Sequence, residues 1–135
     1  MPIEDFAYYL KERINGRIAE IGVGFNFKVA LKLKEFGLDV FVVDWNSKAV
    51  EKARELGLKA YVDDVFKPNL SLYSEVSAIY SVRPTPEIVK PILELGRKLR
   101  VPVYILPFSL DEMPKEMKLE NYKGLAIYKW NTKDI

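Results

Sequence analysis

The sequence predicts an α/β protein, a three-layer sandwich on a mainly parallel sheet of five to six strands in the order 3-2-1-4-5. Three observations carry this. Helical and extended patterns alternate along the 135 residues, which calls for parallel strands joined by helices. Leu38 to Val43 is apolar apart from Asp39, as expected of a strand covered on both faces. Gly16, Gly37 and Gly57 each close a helical pattern. Right-handed crossovers then place helices on both sides of the sheet.

Ile3, Phe6, Leu10 and Ile14 recur at helical spacing and predict an amphipathic helix from about residue 3 to 15. Arg17 to Ile21 reads as the first strand and runs into Gly22-Val23-Gly24. Phe27, Ala30, Leu31, Leu33 and Phe36 give a second helix. Leu38 to Val43 is the second strand, closed by Asp44, and Ser47 to Leu56 the third helix. Leu58 to Val62 is the third strand, closed by Asp63-Asp64, and Val76 to Val82 the fourth. Thr85 is placed to cap a fourth helix that starts at Pro86, bends near Pro91 and ends at about Leu99. Val103 to Leu106 is the fifth strand. Beyond Pro107 the pattern weakens, with a turn of helix expected over Lys115 to Glu120 and a sixth strand over Leu125 to Trp130. Residues 1–135 read as one domain.

Composition narrows the chemistry. With no cysteine and no histidine, disulfides, thiolate metal sites, cysteine nucleophiles and a Ser-His-Asp triad are excluded. A formal charge of +2 gives no electrostatic footprint for nucleic acid. No apolar run approaches the ~18 residues of a membrane span. Glu4 and Asp5 stand where a signal peptide carries lysines, so a cytoplasmic chain is expected. Glutamine is absent while lysine and glutamate abound, a pattern of proteins that work at high temperature.

In an open parallel sheet, ligands bind beyond the carboxyl ends of the strands, where strand order reverses. Glu20, Gly22, Gly24, Asp44, Asp63, Asp64 and Arg83 all fall at those ends. The glycines let a backbone turn tightly and approach a ligand, with helix N–H groups aimed at it. Asp44, at the end of the second strand, is placed to accept hydrogen bonds from ribose hydroxyls. Each feature also has a plain structural use: a tight strand-helix turn for the glycines, a helix cap for Asp44. Phe27 occupies the position where a dinucleotide fingerprint needs a third glycine. The loop also carries no cation to offset a pyrophosphate beside Glu20. A cationic ligand reverses that sign, and S-adenosylmethionine, with a sulfonium and an ammonium, suits the acids.

Glu20-Ile21-Gly22-Val23-Gly24 resembles the first motif of Rossmann-type methyltransferases. The resemblance implies that Glu20 faces the ligand's amino acid end, Asp44 the ribose, and Asp63 or Asp64 the adenine. It departs at Asn26, where a further glycine is common. It departs again at Ser81-Val82-Arg83-Pro84, where the amino-methylating enzymes carry Asp/Asn-Pro-Pro-aromatic. The whole chain also resembles uncharacterised protein family 0146, small and mostly archaeal. The resemblance lies in Glu20 to Gly24, Asp44, Val62-Asp63-Asp64-Val65-Phe66 with Pro68-Asn69, and Ile79 to Pro84. It implies a compact Rossmann-like fold and no known activity.

Methyl transfer needs positioning but no protein nucleophile. Asp63, Asp64 and Tyr80 are the candidate bases, and no catalytic residue is singled out. Arg83 is a candidate substrate-binding residue for a carboxylate or phosphate, with an ion pair to Asp63 or Asp64 as its structural alternative. Phe25 and Phe27 are expected to pack in the core, as are Tyr122, Tyr128 and Trp130, which otherwise suit a dimer contact. The leading expectation is an adenosyl-ligand binder with S-adenosylmethionine as cofactor, possible methyltransferase activity and no metal. Two alternatives stand beside it: a noncatalytic Rossmann module serving as a subunit or regulator, and an NAD(P)-binding protein. A homodimer is the one protein partner envisaged.

Overall fold

The computed structural model describes residues 2–108 and 113–132. The elements in chain order are α1 (Asp5–Arg13), β1 (Arg17–Ile21), α2 (Lys28–Glu35), β2 (Asp39–Asp44), α3 (Ser47–Glu55) and β3 (Lys59–Val62). A 3-10 turn (Leu70–Tyr73) precedes β4 (Val76–Val82). Then follow α4 (Pro86–Leu99), β5 (Val103–Leu106), β6 (Lys118–Tyr122) and β7 (Leu125–Trp130).

The sheet runs β3-β2-β1-β4-β5-β7-β6. Its first five strands are parallel, and β7 and β6 add on as antiparallel strands. The predicted order 3-2-1-4-5 is therefore correct and extended by a hairpin. Strand alternation splits the core into two layers. On one face Ile18, Val40, Val42 and Tyr80 pack under α1, α2 and α3 through Phe6, Leu10, Leu33 and Val50. On the other, Ala19, Ile21, Phe41, Ile79 and Ile105 pack under Val89, Ile92 and Leu93 of α4.

Two expectations need correction. The sheet has seven strands, not five to six, because Lys118–Tyr122 is a strand where a turn of helix was expected from residue 115. β6 is an edge strand with one neighbour, and most of its side chains face solvent, so it carries little apolar alternation. Its hairpin closes on Lys123 and Gly124, both at positive φ (49° and 82°), with Tyr122 opposite Leu125. That is the geometry of a two-residue type I′ turn, formed on Lys-Gly instead of the more telling Asn-Gly. The second correction is Thr85. It occupies the N-cap of α4, but its hydroxyl makes no capping bond. Pro91 lies inside α4, which continues as one helix from Pro86 to Leu99. Among the described residues, no helix is long and apolar enough to cross a membrane.

Candidate functional site

A cavity of about 920 Å³ opens at the carboxyl ends of the parallel strands. The end of every parallel strand, or the residues just past it, meets the cavity: Ile21 and then Gly22 at β1, Val43 and Asp44 at β2, Val62 and then Asp63 at β3, Val82 and then Arg83 at β4, and Phe108 past β5. Strand order reverses between β1 and β4, which splays the following loops apart and leaves the crevice.

Gly22 and Gly24 both have positive φ, 67° and 58°. The Gly22 and Val23 N–H groups donate to the Val43 carbonyl, at 2.9 and 3.1 Å, which folds the turn back over β2. A Cβ on Gly24 would meet no atom within 4 Å, so this glycine leaves its backbone open on the cavity side. Asn26 takes the place of the further glycine, and its Oδ1 accepts from Lys28 N–H at 3.2 Å at the start of α2. Asp44 ties the turn to β2: its Oδ2 accepts from Gly24 N–H at 2.8 Å, and its Oδ1 from Asn46 N–H at 2.9 Å.

Asp63 and Asp64 divide their work. Asp63 accepts from Asn69 N–H at 3.0 Å and from the Tyr73 hydroxyl at 2.6 Å, so it holds the loop that follows β3. Burial and the Asp63 carboxylate push the Tyr73 hydroxyl well above its ordinary pKa. Asp64 is exposed, and its Oδ1 accepts from Phe66 N–H at 2.9 Å. Neither aspartate pairs with Arg83; among the described residues Arg83 makes no ion pair. Arg83 is exposed, has φ 47°, and its N–H is bonded to the Leu106 carbonyl.

Glu20 sits elsewhere than the cavity wall. It is fully buried on the α1–α2 side of β1, and it accepts from the Tyr80 hydroxyl at 2.7 Å through Oε1. Its Oε2 is buried and has no hydrogen-bond partner among the described residues. Burial pushes the carboxyl up to about 8, the Asp44 charge adds to the rise, and the Tyr80 hydrogen bond opposes it. Tyr80 is itself raised well above 10 by burial and by Glu20, and it does not line the cavity. That geometry removes Tyr80 from the candidate bases. Among the described residues, no cluster of three or more acids is placed to hold a metal ion.

Phe25 and Phe27 part company. Phe27 is buried in the core, as expected, whereas Phe25 lines the cavity and is 62% exposed. Three further aromatics stand on the cavity wall: Trp45 (78% exposed), which the sequence did not single out, and Phe66 (61%) and Phe108 (80%), which open two loops that the sequence offers as sources of an acceptor site. Their signal was position. Each follows directly, or within a few residues, the carboxyl end of a parallel strand, where an apolar ring has no core to enter. Trp130 is buried, and Tyr122 and Tyr128 pack partly against the two core layers.

The fold has solved counterparts among methyltransferases. An RNA methyltransferase from Salinibacter ruber, in complex with S-adenosyl-L-homocysteine, superposes with a TM-score of 0.69 at 16% identity, over 96% of this chain and 89% of that one. The CcbJ methyltransferase from Streptomyces caelestis gives 0.63 at 16% identity, over 89% and 56% of the two chains. At these identities the likeness shows the fold alone, a Rossmann-like α/β sandwich. Sequence relatives are closer. A UPF0146 protein of Pyrococcus horikoshii is 53% identical over 120 residues, 89% of this chain and 92% of that protein. One from Methanocaldococcus jannaschii is 46% identical over 127 residues, 93% and 91% of the two. With the family model matching residues 3–132, the chain belongs to the uncharacterised protein family UPF0146.

Proposed function

We propose that the cavity binds S-adenosylmethionine and that the chain is a methyltransferase. The observation that carries this reading is the Gly24–Asp44 bond at the turn after β1. A carboxylate offers about four lone-pair sites. Asp44 uses two on backbone N–H groups, which fix its orientation and leave two for vicinal ribose hydroxyls. Trp45 and Phe66 supply exposed rings on the β2–β3 side for a flat base. Asp64, exposed beside them, has an oxygen available to an exocyclic amine. The acids Asp44, Asp63 and Asp64 favour a cation over a pyrophosphate in the same place.

When bound, the cofactor supplies a methyl group on a positively charged sulfur. The chain's own contribution is positioning: a fixed turn, a fixed carboxylate and exposed rings on which the ligand can lie. No protein nucleophile is involved. The dinucleotide reading is disfavoured by buried Phe27 at the N-cap of α2 and by the absence of a lysine or arginine from the turn after β1.

Titration calorimetry of the folded chain with S-adenosylmethionine and S-adenosylhomocysteine tests the reading, with NADH as the comparator. Saturable heat from the two adenosyl compounds and none from NADH is expected. Silence from both adenosyl compounds at millimolar concentration would remove it. A noncatalytic adenosyl-binding module differs in one measurement: loss of the methyl group when the cofactor is incubated with a panel of acceptors.

A further inference from the structure

The cavity has two unlike halves. At ~4.8 Å between neighbouring strands, its floor from β3 to β5 spans about 19 Å. Asp44, Trp45, Asp63, Asp64 and Phe66 belong to the β2–β3 side. Arg83 and Phe108 belong to the other, where β4 and β5 pair in register through Val82↔Leu106. The bond from Arg83 N–H to the Leu106 carbonyl locks these two strand ends together.

Arg83 is the one cationic residue among the described residues that line the cavity. Four acids line it too, namely Asp44, Asp63, Asp64 and Glu87, yet Arg83 makes no ion pair among the described residues. Its guanidinium therefore leaves its fork of donors open to solvent, where an anionic group can take them. Phe108 beyond β5 is 80% exposed, and exposed apolar rings gathered in one concavity mark a place where a ligand covers them.

The cavity of about 920 Å³ lies within the roughly 300–1,000 Å³ of an ordinary ligand pocket, so the case for a second occupant rests on the span of its floor from β3 to β5. An adenosyl ligand laid over β1 to β3 leaves the β4–β5 end uncovered. Resting on the cofactor reading above, the geometry points to that end as the acceptor subsite. It assigns to it a flat aromatic acceptor carrying a carboxylate or phosphate. The ring lies on Phe108, and the anionic group takes the bidentate fork of Arg83. The β2–β3 half carries three acids, whereas the β4 side sets Arg83 beside one acid, Glu87, so a cation is favoured more strongly in the first half than in the second.

The test uses the full chain saturated with S-adenosylhomocysteine and followed by heteronuclear NMR. The probes are uridine monophosphate and hydroxybenzoate, with uridine, hydroxybenzamide and inorganic phosphate as comparators. One of the two aromatic anions is expected to bind saturably and to shift the Arg83 and Phe108 signals. Which one binds separates the phosphate from the carboxylate source. Its neutral counterpart and inorganic phosphate should each bind about tenfold more weakly, the loss expected when one charge-assisted contact is missing. Arg83→Ala should cost a similar factor, and Phe108→Ala a smaller one, without displacing S-adenosylhomocysteine. Arg83 is exposed and unpaired, so the variant should melt with the parent chain. Saturable binding by neither anion, or binding indifferent to Arg83→Ala, overturns the assignment. If S-adenosylhomocysteine itself fails to bind, the cofactor reading falls. The same titration of the ligand-free chain then decides the Arg83 subsite by the same criteria.

Discussion

Tyr80 donates its hydroxyl to Glu20 Oε1 at 2.7 Å across the β1–β4 pair, inside the core and below the glycine turn. The other carboxyl oxygen has no partner among the described residues, and burial pushes the group up to about 8 from an ordinary 4.5. The folded chain therefore keeps a proton there that the unfolded chain has lost. Between those two values the folded state binds more protons, so stability falls as pH rises and levels off above about 8. Glu20→Gln keeps the shape and removes the ionisation. It should erase that slope and stabilise the chain above the window by a few kcal/mol at most, on the order set by the shift. Thermal melts of both proteins below, within and above the window check this. Parallel melting curves at every pH would contradict the buried, neutral carboxyl.

Asp44 serves the turn and the proposed ligand at once, and the two roles separate by substitution. Asp44→Ala leaves the Gly24 and Asn46 N–H groups without their acceptor, at a cost of about 1–3 kcal/mol. Asp44→Asn keeps one acceptor oxygen and costs less. Both should weaken S-adenosylhomocysteine by at least about tenfold, the loss of hydrogen bonds to a ribose. Calorimetric titration beside thermal melts separates the effects. Full affinity in Asp44→Asn would take the ribose away from this residue.

Trp45 and Trp130 are the two tryptophans, one 78% exposed on the cavity wall and one buried against α4. An adenosyl ligand stacked on Trp45 should change its emission and leave that of Trp130 alone. Trp45→Phe should abolish the change and shift stability by no more than about 0.5 kcal/mol, as at other exposed sites. A fluorescence change that survives in Trp45→Phe would place the ligand elsewhere.

The fold was largely legible because its signals are local. Strands β1, β4, β5 and β7 were placed to the residue, since each is a short stretch rich in apolar residues with a glycine, proline or charged break beside it. β6 was missed because an edge strand answers to one neighbour only, and Lys-Leu-Glu-Asn-Tyr carries no face to read. At the site, sequence spacing brought Gly22, Gly24, Asp44, Asp63, Asp64 and Arg83 to one cavity. It did not show that Glu20 turns inward to Tyr80, because the side of the sheet a polar residue faces depends on what lies opposite. Trp45, Phe66 and Phe108 carry no sequence pattern that assigns them to a site wall. Only the ends of the strands beneath them show that no core reaches that far.

Gly96 brings α4 against β5 more closely than any side chain permits. It is buried, and a Cβ built on it would collide with Cγ2 of Val103 and lie 3.4 Å from the Val101 carbonyl oxygen. Val103 is fully buried and β-branched, so its rotamer cannot give way cheaply. Gly96→Ala gains about 1 kcal/mol of helix propensity, but lifting the helix off the strand costs about 1–3 kcal/mol. A net loss is expected, read as a fall in melting temperature of a few degrees. The double variant Gly96→Ala with Val103→Ala removes the colliding methyls. Its stability should therefore exceed the sum of the two single effects, a coupling visible in a double-mutant cycle. Strict additivity would mean that α4 and β5 are not held apart by this pair.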